Sequence, residues 1–419
     1  MEHMLKVPSV IRICIAASIV LLPLAQWKAS VFGIPLYSVE IPILVAWAVY
    51  GYGRWQGTAS SCEKIDVHNP LVLGGTAFLL GALLSFSANP FSLMGLGMIK
   101  TWLAVPLLAA WLWLQTRPEK RDTEKLLFVW LSTLAAVSLA SLGYLFQGRL
   151  TYDGRLAAWY LSPNYLAFFL APGTLLAHHF YFHPFGARMK TFRHVFLLAF
   201  VVFMVVLFFT RSYATWVGLV VAGLAFLFLD MPESATRWKK SAALFLLVTV
   251  FSALLLLESG SPKWQALTSL QERSSLASRE MIWRVAVKII SDHPVLGIGL
   301  GRFQEVYLSY QQYFPPYLEW AVPQPHNLYL AVWLQTGLLG LLGFTLFIVA
   351  WLRKMLALRR SEGENGGRRN LSALLVALLV LYLVFGLVDT PFFKTDSAFA
   401  FWFLIAFGAG LMNQEKSLR

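Results

Sequence analysis

The sequence predicts an all-α fold: a polytopic integral membrane protein of about 12 transmembrane helices, with one long loop that holds an amphipathic helix. Three observations predict it. The chain is 58% hydrophobic and 13% charged, with mean hydropathy +0.63, whereas a soluble domain carries about 25% charged residues. Apolar runs of about 17–25 residues recur along the chain, each long enough to cross the hydrocarbon as a helix. Between two of them lies the only sizeable polar stretch, about 258–325.

The spans fall near 10–26, 32–52, 69–87, 91–115, 126–146, 161–182, 194–210, 212–230, 241–257, 326–352, 371–388 and 397–412. They divide the chain into nine spans over about 1–257, the long loop over 258–325, three spans over 326–412 and a tail over 413–419. The first apolar run has no small-residue cleavage site, so it is expected to remain as a span. The second is interrupted by Pro35 and Pro42, and the joint at about 210–212 is very short.

Charge sets the expected topology. With the N-terminus inside, about 22 Lys and Arg fall on the cytoplasmic side and 11 on the other, with Lys100 left inside a span. Most of the outer set sits in the long loop, where this bias loses force. Both termini are therefore expected in the cytoplasm. The net charge of +13 is spread over short loops and forms no single patch, which argues against nucleic acid as a partner. Cys14 and Cys62 support neither a disulfide framework nor a zinc site. No HExxH, CxxC or carboxylate cluster points to a metal.

Within the long loop, residues 278–290 place apolar side chains at helical spacing with Arg and Lys between, an amphipathic helix expected to lie at the interface. The aromatic series Tyr307, Tyr310, Tyr313, Phe314, Tyr317 and Trp320 suits anchoring at headgroup depth or stacking on sugars. The run Gly297-Ile298-Gly299-Leu300-Gly301 lacks the Lys-Ser/Thr and parallel sheet of a phosphate loop, so nucleotide binding is set aside. Residues 361–369 read as a flexible inner connection.

The chemistry-bearing residues all fall on the outer side. His326 heads an apolar helix; an imidazole titrates near neutral pH and can take a proton from a hydroxyl, or it can simply cap the helix. Arg211 ends a wholly apolar run, where its planar fork suits phosphate oxygens or reaches out to the interface. Arg155 is either a ligand contact or the ion-pair partner of Asp153, and Arg279 either a ligand contact or a lipid-headgroup contact. The turn from Asp389 to Lys394 and Asp396 reads as a salt-bridged joint or as part of a site.

Together these residues resemble the O-antigen ligase and O-antigen polymerase superfamily of bacterial membrane glycosyltransferases. The resemblance runs from about 150 to 410. It is carried by Arg155 ahead of Pro163-Asn164, by Thr210-Arg211-Ser212, by Ser278-Arg279 with Trp283 and His293-Pro294-Val295-Leu296-Gly297-Ile298-Gly299, and by His326-Asn327 with Gly337 and Gly340 downstream. It implies a glycan moved from a polyprenyl (undecaprenyl) diphosphate to an acceptor hydroxyl, with lipid A-core favoured as acceptor. The reaction would take place at the periplasmic face of the inner membrane and without metal or other cofactor. His326 and Arg211 would be catalytic, Arg155, Arg211 and Arg279 would hold the diphosphate, and Asn164, Asn327, Asp389 and Lys394 would support them. A repeat-unit polymerase and a protein-directed oligosaccharyltransferase need the same donor site and stay open. A multispan lipid or solute transporter is the alternative of another class; against it stand the lack of repeat symmetry and the long outer loop.

Overall fold

The computed structural model describes residues 7–31, 34–58, 66–231, 275–315, 321–361 and 366–418, together with positions 241, 244, 252–253, 255–261, 264–265 and 319. Among the described residues the regular structure is helical apart from one hairpin. The helices are α1 (Val7–Leu21), α2 (Glu40–Trp55), α3 (Pro70–Ala88), α4 (Leu93–Met98), α5 (Val105–Gln115), α6 (Lys120–Phe146) and α7 (Pro163–Phe182). Then come α8 (Ala187–Thr191), α9 (Arg193–Thr210), α10 (Tyr213–Asp230), α11 (Ser275–Asp292), α12 (Phe303–Tyr310), α13 (Leu328–Ser361), α14 (Gly367–Phe385) and α15 (Thr395–Leu418). Among the described residues, nine helices are long and apolar enough to cross a membrane.

Two expected spans differ from the sequence reading, and a third lies largely outside the described residues. The second, near 32–52, becomes a hairpin of β1 (Lys28–Val31) and β2 (Ile34–Tyr37) followed by α2, only 16 residues long. The prolines that interrupt the run sit at β2 and in the first turn of α2, where missing amides cost little. The sixth is α7, whose hydropathy is lowered by Asn164, His178 and His179; it is mostly buried among other helices, so its polar groups meet protein. The ninth, 241–257, lies largely outside the described residues.

Local chemistry fixes the helix starts that matter. Ser162 accepts a hydrogen bond from the Asn164 amide, with Pro163 at the first helical position of α7. Asn327 caps α13 by accepting from the amides of Tyr329 and Leu330, both at 3.0 Å. Asn69 caps α3 in the same way.

Packing is closest between α3 and α13. A Cβ added at Gly81 would strike the Gly340 backbone, one at Gly343 the Phe78 amide, and one at Gly74 the Phe347 backbone. Small residues let these two backbones touch, as in membrane helix pairs generally. Less than a third of the way along, α13 breaks at Gly337 (φ 69°, ψ −176°). The break is filled from the long loop: Leu338 N donates to Val295 O at 2.9 Å, and Ile298 N donates to Leu334 O at 2.7 Å. The glycine run 297–301 is thus a packing device, three of its residues at positive φ and each pressed against neighbouring backbone or side chain.

The long loop has its own small core. The apolar face of α11 (Met281, Ile282, Val285, Ala286, Ile289, Ile290) packs with Phe303, Tyr307, Val322 and Leu334. This corrects the expectation of a helix lying on lipid: protein covers the apolar face. Of the aromatic series, Tyr307 is wholly buried and donates to Glu319 O, Tyr310 bonds Asp292, and Tyr313 is exposed. Tyr317 and Trp320 lie outside the described residues.

Lys100, expected inside a span, reaches back to the hairpin. Its ammonium lies 2.7 Å from Glu40 and bonds Pro35 O, at a π-helical turn, Ile99–Ala104, that joins α4 to α5.

Candidate functional site

The sequence-selected residues gather at one end of the bundle, where α7, α13 and α15 begin and α9 and α14 end. Arg155 is buried in the loop before α7. Its Nε donates to Thr210 O at 2.8 Å, one Nη donates to Asn164 Oδ1 at 2.7 Å, and the other lies 3.6 Å from Asp153. Burial lowers its pKa from the usual arginine value, Asp153 opposes that, and the charge on Arg279 lowers it further. The ion pair weighed from sequence is therefore present, and Arg155 also ties the 155 loop to the end of α9.

Arg211 is that end. It adopts a left-handed conformation (φ 47°, ψ 40°), which turns the chain in a single residue and lets α10 start at once. Its Nε lies 3.1 Å from Glu258, itself buried, and Tyr213 donates to the other oxygen of Glu258 at 3.1 Å. One guanidinium nitrogen lies beside Gly154, next to Arg155.

Arg279, on the first turns of α11, donates from Nε to Val388 O at 2.9 Å and from Nη to Ser275 O at 3.2 Å. One residue on from Val388 is Asp389, 2% exposed. It lies 3.3 Å from Nδ1 of His326 and 3.6 Å from Nζ of Lys394. Burial by itself would raise this carboxyl. Lys394, His326 and the Thr390 amide outweigh it and hold Asp389 well below the usual carboxylate range. Lys394 is pulled down by burial against the opposing pull of Asp389 and Asp396, and its ammonium sits 3.2 Å from the centre of the Tyr165 ring. The salt-bridged joint weighed from sequence is therefore present, with Asp389 between His326 and Lys394.

His326 has φ 48°, one of four non-glycine residues at positive φ among those described; Arg117, Ala158 and Arg211 are the others. Such a backbone costs about 1–2 kcal/mol and persists where its surroundings hold it. Trp283 Nε1 on α11 donates to His326 O at 3.2 Å, and Leu328 N donates to Gly386 O at 2.7 Å. The imidazole is 29% exposed while its partner Asp389 is closed off, so the ring is held at Nδ1 and still partly open to solvent. Nδ1 faces the Asp389 carboxylate, so a neutral ring with its proton on Nδ1 would leave the Nε2 lone pair to accept.

All eight candidates are accounted for. Arg155, Asn164, Arg279, His326, Asp389 and Lys394 are joined by direct bonds, shared loops or adjacent residues, and Arg211 borders Arg155. Asn327 acts as a helix cap and also bonds Leu387 O, so its amide is spent on structure. Sequence reading missed Glu258 and Tyr165. No motif flags either, and only contact reveals them. Among the described residues no cluster of three metal-ligating side chains occurs.

Residues 198–345 match the family model described as O-antigen ligase. The chain carries a domain of the O-antigen ligase superfamily. The match covers about a third of the chain and implies an enzyme of the O-antigen ligase and polymerase kind. Arg211, Arg279 and His326 fall inside the matched segment; Arg155, Asn164, Asp389 and Lys394 fall outside it. No curated protein matches the chain.

Proposed function

We propose that this O-antigen ligase domain transfers a glycan from a polyprenyl (undecaprenyl) diphosphate to an acceptor hydroxyl, with lipid A-core as acceptor, on the periplasmic side of the inner membrane. The observation that carries the reading is that Arg279, Lys394 and the partly exposed His326 converge on the Val388–Asp389 turn, with Arg155 linked to it through Asn164 and the neighbouring Tyr165 under Lys394, and Arg211 beside Gly154. Cleaving the sugar–diphosphate bond leaves negative charge on phosphate oxygens. Guanidinium groups fixed by their own backbone bonds would stabilise that charge without reorganising.

Nε2 of His326 would take the proton of the attacking hydroxyl, with Asp389 stabilising the imidazolium as it forms. The oxygen of the acceptor bonds to the anomeric carbon as the bond to the diphosphate breaks. A single displacement of this kind inverts the anomeric centre. Neither step calls on a metal. The lipid tail would lie along the helices, which accounts for a site at the end of the bundle.

The test is transfer from a synthetic lipid-diphosphate glycan to a purified core acceptor, with single replacements of Arg211 and His326. A lipid-linked repeat offered in place of the core separates ligase from polymerase: product on the core supports the reading, and lengthened lipid-linked glycan favours the polymerase.

A further inference from the structure

Where the long loop begins, burial is inverted. Leu256 and Leu257 are 73% and 72% exposed, whereas Glu258, the next residue, is 2% exposed. A carboxylate is turned inward while two leucines face outward. Burying a charge is costly unless it is paired and hydrogen-bonded, so the partners of Glu258 decide what it is for.

Both carboxylate oxygens are engaged. Oε1 lies 3.1 Å from Nε of Arg211, and Oε2 accepts from the Tyr213 hydroxyl at 3.1 Å. The Tyr213 oxygen also lies 3.4 Å from Oγ of Ser261, and its ring packs edge-on against Trp264, whose amide donates to Ser261 Oγ at 3.1 Å. The backbone is tied as well, for Ser261 N donates to Glu258 O at 2.8 Å.

The two charges of the pair are placed differently. Glu258 is closed off, while the Arg211 side chain is 28% exposed. Glu258 meets Nε, on the stem side of the guanidinium, and the tip nitrogen Nη1 lies beside Gly154, next to Arg155. The carboxylate thus sits behind the fork and not in the place of an anion in front of it. The left-handed backbone of Arg211 sets where the side chain leaves the chain. What remains free is a long, flexible stem, and Glu258 grips the far end of it.

We propose that Glu258 is a positioning residue: its reach to Nε, braced by Tyr213, fixes the Arg211 fork for phosphate oxygens. This role rests on Arg211 being a ligand of the lipid diphosphate. Donors fixed in advance stabilise developing charge better than mobile ones, because nothing reorganises as the charge forms.

The experiment is a mutant cycle on the full-length purified protein. It reads kcat and KM for transfer from a lipid-diphosphate glycan to whichever acceptor, core or lipid-linked repeat, the wild type uses, with Tm on the same samples. Glu258→Asp keeps the charge and shortens the reach by a methylene, whereas Glu258→Gln keeps the reach and removes the charge. Glu258→Asp should lower kcat by about tenfold and Glu258→Gln by less than about threefold. In an Arg211→Ala background Glu258→Asp should cost nothing further, because its effect passes through Arg211; a merely structural role would cost the same factor in both backgrounds. Tyr213→Phe leaves the carboxylate in place without its brace and should lose about threefold, again only when Arg211 is present. It carries the same test where Glu258→Asp does not fold. Wild-type kcat in Glu258→Asp alongside an impaired Arg211→Ala, a larger loss in Glu258→Gln than in Glu258→Asp, or an equal loss in both backgrounds would overturn the proposal and leave the role of Arg211 standing. Wild-type kcat in Arg211→Ala, or no transfer by the wild type to either acceptor, would overturn both.

Discussion

The seam between α3 and α13 and the cluster around His326 are built on opposite plans. The seam is held by shape: glycines bring two backbones into contact, and nothing there titrates. The cluster is held by polar bonds between loops: Arg155 to Thr210, Arg279 to Val388, His326 to Asp389, with two residues in left-handed backbone. The two regions share α13, which enters the seam below Gly337 and starts beside His326 above it. The difference teaches that position and chemistry are separable here. Damage to the seam should remove the protein, whereas damage to the cluster should remove activity at a much smaller cost in stability.

The largest effect should come from the seam. Gly81→Leu forces side chain into the Gly340 backbone and Gly340→Val into the Thr336 side chain, and overpacking of this kind costs about 1–3 kcal/mol or more. Both variants should fail to give a monodisperse peak on size exclusion. A well-folded Gly81→Leu protein would break the contrast.

Next come the arginines. Arg211→Ala and Arg279→Ala should each lower kcat for glycan transfer by about 10²–10³, the usual loss when a fixed donor to developing charge is removed. Yield and size-exclusion profile should stay those of the wild type. A smaller loss is expected for Asp389→Asn, about 10–100-fold, because the ring keeps its place but loses the charge that stabilises its protonated form.

The smallest effect is on acid stability and has a definite sign. Asp389 is held below the usual carboxylate range, so its stabilisation is fully present above the unfolded value of about 3.9. It is lost as pH falls through the lower folded value. The Tm difference between wild type and Asp389→Asn should hold steady from about pH 7 to 5 and shrink below about pH 4. A difference that grew on acidification would have the wrong sign.

The same contrast explains what the sequence could reveal. Apolar runs and loop charge are summed over many residues, so most helices were legible. The second span was not, because Pro35 and Pro42 suit a strand and a first helical turn as well as an interrupted helix. The amphipathic pattern of α11 was legible, but periodicity does not say what covers an apolar face; here Phe303, Tyr307 and Leu334 do. His326, Arg211, Arg155 and Arg279 stood out as charges at the ends of apolar segments. Their partners did not: Glu258 and Tyr165 are ordinary until the fold brings them to Arg211 and Lys394. Asn327, expected to support the site, also caps α13, a role its position before that helix permitted.

The most direct test compares transfer by purified wild type and His326→Ala from a defined lipid-diphosphate glycan, with Tm measured on the same samples. The account predicts a loss of about 10²–10⁴ in kcat with the unfolding temperature little changed. Turnover by His326→Ala at the wild-type rate would contradict it.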